Sequence, residues 1–289
     1  MHTPVLKEEI LQFLDIKPNQ NFIDCTAGEG GHTLAILEKN GPKGKVLAID
    51  RDIRNISLVE DKAKGAGFKD RLVAVNGSYV DLASIVKKNN FNNISGIVFD
   101  LGLSSWHIDD SGRGFTFTKN EFLDMRYSTE NGITAWEIVN YWSEEDISFI
   151  LFNYGEENMA KKIAKEIVDV RKINKINKAD ELSDIVYRIT KSRKASARVF
   201  QALRIAVNDE LENISRVLPV AFDLLEQNGK LVAISFHSLE DRIVKSFFKE
   251  ISDNAEILTK KPIVPSIKEL KNNLRSRSAK LRILIKTKQ

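Results

Sequence analysis

The sequence predicts an α/β protein with a mostly parallel sheet, interrupted by an inserted all-helical domain. Two observations favour this fold class. Short β-rich runs recur about every 25 residues near the N-terminus, and each is followed by helix-like sequence, as in βαβ units. Residues 134–226 then look almost entirely helical. Roughly 130 residues therefore separate the fourth strand from the fifth, whereas a parallel crossover usually takes about a dozen.

The four early strands are bounded by Gly, Asn or Asp, and three further strand signals follow the helical stretch. The predicted strands are residues 21–25, 45–50, 71–76, 95–100, 230–236, 256–259 and 281–286. Within the helical stretch, Ser143 followed by Asp146 fits a capping box, and Gly155 fits a C-terminal helix stop. The expected domains are a discontinuous sheet domain, residues 1–105 with 206–289, and an inserted helical domain, residues 106–205.

The composition is that of an ordinary globular protein. Apolar residues make up 42% and charged residues 29% of the 289 residues, which excludes a disordered or collagen-like chain. The single Cys25 excludes an internal disulfide, and one cysteine with four histidines does not predict a metal site. No apolar run reaches the roughly 18 residues of a membrane span, and no signal peptide is evident. We therefore expect a cytoplasmic protein.

The modest net charge of +4 conceals two basic segments. Residues 260–289 carry ten Lys and Arg against one acid, which leaves −5 for the rest of the chain. Residues 160–204 carry thirteen bases against five acids. This distribution suggests a polyanionic partner contacted at two places, although solvated helix faces account for the composition equally well.

A glycine-rich turn, Asp24-Cys-Thr-Ala-Gly28-Glu-Gly30-Gly31-His32, follows the first strand. Glycines permit backbone N–H groups to line a ligand pocket at the carboxyl edge of a parallel sheet. Asp50 ends the second strand about 20 residues later, where a carboxylate can accept hydrogen bonds from both ribose hydroxyls of a nucleoside. Asp100 ends the fourth strand at the same edge. These features together predict a nucleoside-containing cofactor.

Two classes of cofactor suit this edge. A dinucleotide fold requires a third glycine at the position that Thr33 occupies, so its fingerprint is incomplete. The pattern Asp24-x-x-x-Gly28-x-Gly30 instead resembles the first motif of Rossmann-like methyltransferases that bind S-adenosylmethionine. An acidic edge suits a sulfonium cation, whereas it would repel a pyrophosphate.

Taken together, the motifs resemble one family, the bacterial N4-cytosine methyltransferases of small-subunit ribosomal RNA known as RsmH or MraW. The matching blocks are residues 2–6, 28–32, 48–51, 99–105, 113–115, 123–126, 154–156, 200–202 and 235–245. The last of these, SFHSLEDRIVK, is highly specific. The resemblance implies a class I methyltransferase that transfers a methyl group from S-adenosylmethionine to the N4 atom of one cytidine. In the family this is position 1402, in the decoding region of 16S RNA.

The resemblance also implies site residues. Predicted cofactor contacts, with Gly28 added from the turn itself, are Gly28, Gly30, Gly31, His32, Asp50, Tyr79, Asp100 and His107. Many family members have Pro-Gln where this chain has Trp106-His107, so the last contact departs from the family pattern. The small ribosomal subunit is the expected context of the RNA. The oligomeric state is left open, with a homodimer as one alternative.

The cytosine amine is a poor nucleophile because its lone pair is delocalised into the ring. A hydrogen-bond acceptor at the amine and in-line alignment would assist the transfer. Asp100 is the first candidate for this catalytic acceptor, with a pure cofactor ligand or a neighbouring backbone carbonyl as alternatives. His237, after the fifth strand, is a weaker candidate that could hold the base or its phosphate, or could serve the fold alone.

RNA contacts are predicted at three places. The loop with Arg113 and Phe115 offers an arginine and an aromatic ring for an unpaired base, unless these side chains pack into the domain junction. The phosphate-binding candidates are Arg193, Lys194 and Arg198 in the helical stretch and Arg275 and Arg277 in the tail.

Two other functions are compatible with the sequence. One is a dinucleotide-dependent oxidoreductase, and the other is a non-catalytic RNA-binding assembly factor built on a methyltransferase fold. The intact Gly28, Gly30, Asp50 and Asp100 argue against a decayed cofactor site.

Overall fold

The computed structural model describes residues 4–130 and 132–288. The chain divides into two compact units: unit 1 contains Met1–Gly102 with Leu211–Gln289, and unit 2 contains Leu103–Glu210. These limits lie three and five residues from the domain boundaries expected from the sequence. His2 and Thr3, in the first block that carries the family resemblance, lie outside the described residues.

Unit 1 contains a seven-stranded sheet. The strands are β1 (Asn21–Asp24), β2 (Val46–Asp50), β3 (Leu72–Asn76), β4 (Ile94–Asp100), β5 (Leu225–Ser235), β6 (Ala255–Ile257) and β7 (Lys280–Lys286). Their order across the sheet is β3-β2-β1-β4-β5-β7-β6. The first five are parallel, whereas β7 runs antiparallel to both β5 and β6. The predicted α/β class with a mostly parallel sheet is confirmed.

Thirteen α-helices accompany the strands in the described part of the chain. They are α1 (Lys7–Leu14), α2 (Gly31–Lys39), α3 (Ile53–Gly65), α4 (Leu82–Lys88), α5 (Ser105–Asp109), α6 (Ala135–Tyr141), α7 (Glu144–Asn153), α8 (Ala160–Ile173), α9 (Ala179–Thr190), α10 (Arg193–Asn208), α11 (Glu210–Leu224), α12 (Ser238–Glu250) and α13 (Ile267–Asn272). Short 3₁₀ turns cover Lys69–Arg71, Tyr79–Asp81 and Leu274–Ser278. Within the described residues, no helix combines the length and the apolar character that a membrane crossing needs.

The central strands are buried on both faces, which explains their continuous apolar sequence. On one face, Ile23, Leu47 and Phe99 pack with apolar residues of α11 and α12. On the other face, Phe22 and Val98 pack with residues of α1 and α2. A strand with apolar side chains on both faces reads as an unbroken hydrophobic run, and this is why the sequence located these strands.

Strand order brings three acidic residues to neighbouring strand ends. β1 pairs with β2 on one side and with β4 on the other, and all three run in the same direction. Asp24, Asp50 and Asp100 are the last residues of these strands. The connections leave β1 and β4 in opposite directions across the sheet, which is the kind of switch point where α/β proteins bind ligands.

Unit 2 is a helical domain with its own apolar core, to which α6, α7, α8, α9 and α10 all contribute. Ser143 caps α7 by accepting a hydrogen bond from the Asp146 N–H at 3.0 Å, and its hydroxyl donates to the Asp146 carboxylate at 2.7 Å. Tyr154 and Gly155 follow the end of α7, in agreement with the predicted stop. A complete capping box begins α6, where Thr134 and Glu137 satisfy each other's backbone N–H groups.

A buried lysine of β7 stabilises the junction between α11 and β5. Lys286 Nζ donates to the carbonyl oxygens of Phe222 (3.1 Å), Asp223 (3.1 Å) and Leu225 (2.8 Å). The last carbonyls of a helix have no intrahelical partner, and a cation there also interacts favourably with the helix dipole. Lys286 therefore ties the end of α11 to the sheet.

We expect the substitution Lys286→Met to lower the free energy of unfolding by about 1–3 kcal/mol, because the buried carbonyls lose their donor while the apolar stem is kept. Urea unfolding followed by circular dichroism measures the change. Lys288→Met, at an exposed position two residues away, is the matched control and should leave stability nearly unchanged. Equal effects of the two substitutions would contradict a capping role.

Candidate cofactor site

The glycine-rich turn between β1 and α2 is fixed by main-chain hydrogen bonds to both neighbouring strands. The Cys25 N–H donates to the Val98 carbonyl at 2.9 Å, and the Ala27 N–H donates to the Ile49 carbonyl at 2.9 Å. Gly28 and Gly30 have φ values of +49° and +85°, in the left-handed region that favours glycine. The turn therefore lies at the switch point of the sheet in a defined conformation.

Gly31 is required because the turn packs closely against the N-terminal segment at this position. A Cβ atom at this position would lie 2.6 Å from Cγ of Pro4. The N-terminal segment thus lies directly against the turn. Its position is also stabilised from the tail, because the Leu6 N–H at the start of α1 donates to Glu269 Oε1 of α13 at 2.8 Å.

Asp24 stabilises the turn from within and does not present its carboxylate to a cofactor. Its carboxylate is fully buried and accepts hydrogen bonds from the Thr33 hydroxyl at 2.7 Å and the Thr26 N–H at 3.2 Å. Burial raises the pKa of this carboxyl above its ordinary value. Thr33 occupies the position of the third dinucleotide glycine, and its hydroxyl is used to hold Asp24.

Asp50, at the end of β2, is bonded to the turn and to α3. Its Oδ2 accepts from the Gly28 N–H at 2.8 Å, and its Oδ1 accepts from the Asp52 N–H at 2.8 Å and from Asn55 Nδ2 at 3.1 Å. A carboxylate offers about four acceptor positions, so these contacts leave one on Oδ2. The sequence predicts that Asp50 accepts hydrogen bonds from both ribose hydroxyls. In the observed conformation, its carboxylate has room for a hydrogen bond from one of them.

Burial raises the pKa of Asp50 from 3.8 to about 6, and the three hydrogen bonds oppose that rise. The carboxyl is therefore mostly ionised at pH 7 and gains a proton in mildly acidic solution. Any ligand that depends on its negative charge should bind less tightly below pH 6.

Asp100, at the end of β4, is partly exposed and is oriented by the turn. Its N–H donates to Thr26 Oγ1 at 2.6 Å, and its Oδ1 accepts from the Gly102 N–H at 3.2 Å. The other oxygen, Oδ2, lies 3.4 Å from Nε2 of His32. The side chain of Asp100 is 21% exposed, so a ligand can reach this carboxylate.

Tyr79 belongs to the same unit. It lies in the 3₁₀ turn after β3, and its ring meets Phe99 of β4 edge to face, with a centroid distance of 5.8 Å. The preceding Ser78 accepts a hydrogen bond from Arg51 Nε at 3.1 Å, which links this turn to the residue after β2. Unit 1 thus contains every predicted cofactor contact except His107.

His107 lies in unit 2 and is enclosed by aromatic rings. Its ring packs against Trp106, Phe115 and Tyr127 at centroid distances of 5.4, 5.0 and 5.4 Å, and Nδ1 lies 2.7 Å from Ser104 Oγ. The side chain is 5% exposed. Its observed contacts are those of a packed residue of unit 2.

His237 is the N-cap of α12. Its side chain accepts from the Glu240 N–H, while Glu240 Oε2 accepts from the Phe236 N–H at 2.7 Å and the His237 N–H at 3.3 Å. The reciprocal contacts form a capping box. The sequence allows His237 either to hold the base or its phosphate or to serve the fold alone. A role in the fold accounts for all of these contacts.

Phe115 is not placed to stack on an RNA base, contrary to the sequence-based expectation. The ring is 9% exposed, lies in the core of unit 2 and stacks on Tyr127 at a centroid distance of 5.8 Å. Arg113 of the same loop donates to the carbonyls of Arg126 and Tyr127 and lies over the Trp106 ring. These side chains order the loop from within, because a Phe flanked by aromatic neighbours is more stable buried than exposed.

The predicted phosphate contacts differ in their surroundings. Arg198 pairs with Glu157 through Nε at 2.8 Å, and that glutamate is only 2% exposed, so Arg198 compensates a buried charge. Arg193 lies 5.0 Å from the Tyr187 ring and is 60% exposed, and Lys194 is exposed. Arg275 and Arg277 are exposed on the 3₁₀ turn of the tail.

Sequence reasoning missed two threonines of the site. Thr26 holds the backbone of Asp100, and Thr33 holds the carboxylate of Asp24. In the sequence, Thr33 is notable only because a dinucleotide fold requires a glycine at its position. A hydroxyl nine residues after a buried acid at a strand end is nevertheless a plausible hydrogen-bond donor to that acid. No pattern in the sequence marked Thr26.

The chain is similar to known proteins in sequence and in fold. The model of the MraW methylase family matches residues 1–287. A ribosomal RNA small subunit methyltransferase H from Sulfurihydrogenibium sp. strain YO3AOP1 is 44% identical over 290 residues, covering 98% of each chain. The protein of the same name from Dictyoglomus thermophilum is 43% identical, covering 98% of this chain and 96% of that one.

Among solved structures, an rRNA methylase from Streptococcus thermophilus superposes with a TM-score of 0.50 and 10% identity, covering 100% of this chain and 99% of that one. This likeness shows a shared fold. The predicted class I methyltransferase fold is confirmed, and so is the prediction of an S-adenosylmethionine-dependent methyltransferase. With the family model spanning nearly the entire sequence, the chain belongs to the MraW methylase family.

Proposed function

We propose that this protein methylates the RNA of the small ribosomal subunit at the N4 atom of one cytidine, position 1402 in the family. The observation that carries the proposal is the meeting of the glycine turn, Asp50 and Asp100 at one edge of the sheet, in a chain of this family. Curated relatives at 43–44% identity carry a name that specifies small-subunit ribosomal RNA. A ribosomal substrate implies a cytoplasmic site of action.

The residues of the edge fit S-adenosylmethionine, which supplies an electrophilic methyl group on a sulfonium when it is bound. We infer that Gly28 and Gly30 let the backbone approach this cofactor, that Gly31 keeps the turn packed against Pro4, and that the open acceptor position of Asp50 receives a ribose hydroxyl. Asp100, at the adjacent strand end, provides a negative charge for the methionyl end, which carries the sulfonium and also an α-ammonium group that S-adenosylhomocysteine retains. His107 is left out of this set, because the aromatic cluster of unit 2 encloses its ring.

When bound, the cofactor would supply the methyl group, and the cytosine amine would be the nucleophile and would give up one proton. Asp100 Oδ2 is the acceptor that we propose for a hydrogen bond from the cytosine amine, because a carboxylate oxygen has two acceptor positions and His32 lies beside only one of them. The other oxygen, Oδ1, accepts from the Gly102 N–H. The turn and strand fix this carboxylate before substrate arrives, so little reorganisation is needed during the reaction.

For the RNA, we propose phosphate contacts from Arg193 and Lys194 of unit 2 and from Arg275 and Arg277 of the tail. All four are exposed, and Arg193 remains 60% exposed although it donates to Ser183 Oγ at 3.2 Å. Arg113, Phe115 and Arg198 instead make the contacts within unit 2 described above. Phosphate contacts supply affinity without base specificity, so the choice of the cytidine must come from other residues or from the shape of the RNA.

The proposed activity is tested by mass-spectrometric nucleoside analysis of 16S RNA from cells that lack this protein and from cells in which it is restored. We expect N4-methylation of one cytidine to disappear and return. An unchanged modification pattern would refute the proposed substrate. Restoration with Asp100→Ala should not return the modification, although the protein is present at normal amounts.

We expect Asp50→Ala to weaken binding of S-adenosylhomocysteine about ten- to hundred-fold, which corresponds to the roughly 1.5–3 kcal/mol of a charge-assisted hydrogen bond. Isothermal titration calorimetry measures this change. The parent protein should also bind less tightly as the pH falls through about 6, because Asp50 then gains a proton. Asp50→Asn should largely remove that pH dependence, and a pH profile identical to the parent's would argue against the ribose contact.

Replacing Arg275 and Arg277 with Gln should weaken RNA binding uniformly across sequences and reduce the slope of log K against log salt by roughly 0.7 for each lost phosphate contact with single-stranded RNA. Filter binding between 50 and about 200 mM salt measures the slope. Lys87→Gln with Lys88→Gln, at exposed positions of α4, is a control of equal charge. If both double variants change the slope equally, the tail has no specific part in binding.

A further inference from the structure

His32, the second residue of α2, lies buried beside Asp100. Its side chain is 6% exposed, and Nε2 lies 3.4 Å from Asp100 Oδ2. Among the described atoms, Nε2 completes no hydrogen bond. A buried nitrogen without a hydrogen bond is costly, so a residue that places one next to a site carboxylate is expected to serve that carboxylate.

The carboxylate of Asp100 is fixed on one side only. Its Oδ1 accepts from the Gly102 N–H at 3.2 Å, and its backbone N–H is held by Thr26 Oγ1. Oδ2 faces His32. Among the residues described, the imidazole is therefore placed to influence the orientation of the second oxygen.

Carboxylates from three elements surround this imidazole. They are Asp24 of β1, Asp100 of β4 and Glu269 of α13. The charge of His32 lowers the pKa of Asp24 and of Glu269, opposing the increase that burial causes, while the charge of Asp100 raises the pKa of Asp24 further. His32 therefore lies where it can compensate the negative charge of these carboxylates.

We propose that His32 is a positioning residue: its Nε2 orients Asp100 Oδ2, and its effect on cofactor affinity and methyl transfer passes through Asp100 and not through direct contact with the cofactor. This inference rests on the proposed methyltransferase function. It differs from the direct cofactor contact that the family resemblance implies for His32. The covered position of the ring and its distance to Oδ2 favour the indirect role.

A double-mutant cycle distinguishes the two roles. The variants are His32→Leu, Asp100→Asn and the combination of both, and the measured quantity is the affinity for S-adenosylhomocysteine by calorimetry. We expect His32→Leu to weaken binding about ten-fold in the parent and less than two-fold in the Asp100→Asn background, because coupled residues are not additive. Equal losses in both backgrounds would show a direct contact and overturn the proposal. So would the absence of any loss in the parent.

His32→Gln provides the rescue experiment, since its amide N–H can donate to the same carboxylate. We expect it to recover most of the affinity and of kcat/KM that His32→Leu loses. Glu38→Gln is the control on the same helix, because Glu38 is exposed on α2 and its substitution leaves the His32–Asp100 pair in place. If Glu38→Gln produced the same coupling with Asp100→Asn, the effect would not belong to His32, and the proposal would be refuted.

A measurement that needs neither activity nor cofactor completes the test. The imidazole resonances of His32 are recorded by NMR at one fixed pH in the parent and in Asp100→Asn. Loss of the neighbouring carboxylate should change the chemical shift of Nε2, which lies 3.4 Å from Asp100 Oδ2. An unchanged resonance would contradict the pairing even if His32→Leu fails to fold. A parent protein that binds no S-adenosylhomocysteine would instead refute the proposed function, and the NMR result would stand apart from it.

Discussion

The buried carboxylate of Asp24 is the constraint on which the cofactor site depends. It joins the end of β1 to the turn through the Thr26 N–H and to α2 through the Thr33 hydroxyl. Thr26 in turn accepts a hydrogen bond from the backbone N–H of Asp100, so the end of β4 is held by the same segment. Because Asp24 is fully buried, loss of either partner would leave a desolvated acid that favours protonation. The geometry of the edge thus follows from one desolvated acid whose hydrogen bonds are satisfied.

The same constraint explains the choice of cofactor. A dinucleotide fold uses a third glycine for close packing of its helix on the strand, and here a threonine occupies that position in order to satisfy Asp24. The nearby Asp50 and Asp100 make the edge acidic. Burial raises the pKa of Asp50 to about 6, which still leaves it ionised at neutral pH. Such an edge favours a cationic nucleoside over a pyrophosphate, in agreement with membership of a methylase family.

The sequence predicted the sheet and its acidic edge well, because both depend on local patterns. Strands that are buried on both faces are continuous apolar runs, and parallel strands bring their last residues to one edge whatever the connections are. The sequence could not predict how individual polar and aromatic side chains are used. Arg113, Phe115 and Arg198 are residue types that are common on RNA-binding surfaces. In unit 2, however, Arg113 donates to carbonyl oxygens, Phe115 stacks on another aromatic ring, and Arg198 pairs with a carboxylate. Residue type alone does not distinguish these uses, since they depend on neighbours far apart in sequence.

The structure reduces the number of bases in the tail, residues 260–289, that are exposed to solvent. Residues 260–289 contain ten bases, but Lys286 caps carbonyls at the end of α11, and Arg282 is paired with Asp241 at 2.7 Å. Lys280 also lies 3.6 Å from Asp241, which leaves seven exposed bases: Lys260, Lys261, Lys268, Lys271, Arg275, Arg277 and Lys288. Each phosphate neutralised on a single strand adds roughly 0.7 to the salt slope, so the exposed bases limit the contribution of the tail to a slope of about 5. The two buried cations, Arg282 and Lys286, support the fold, and the exposed bases are the candidates for contacts with RNA.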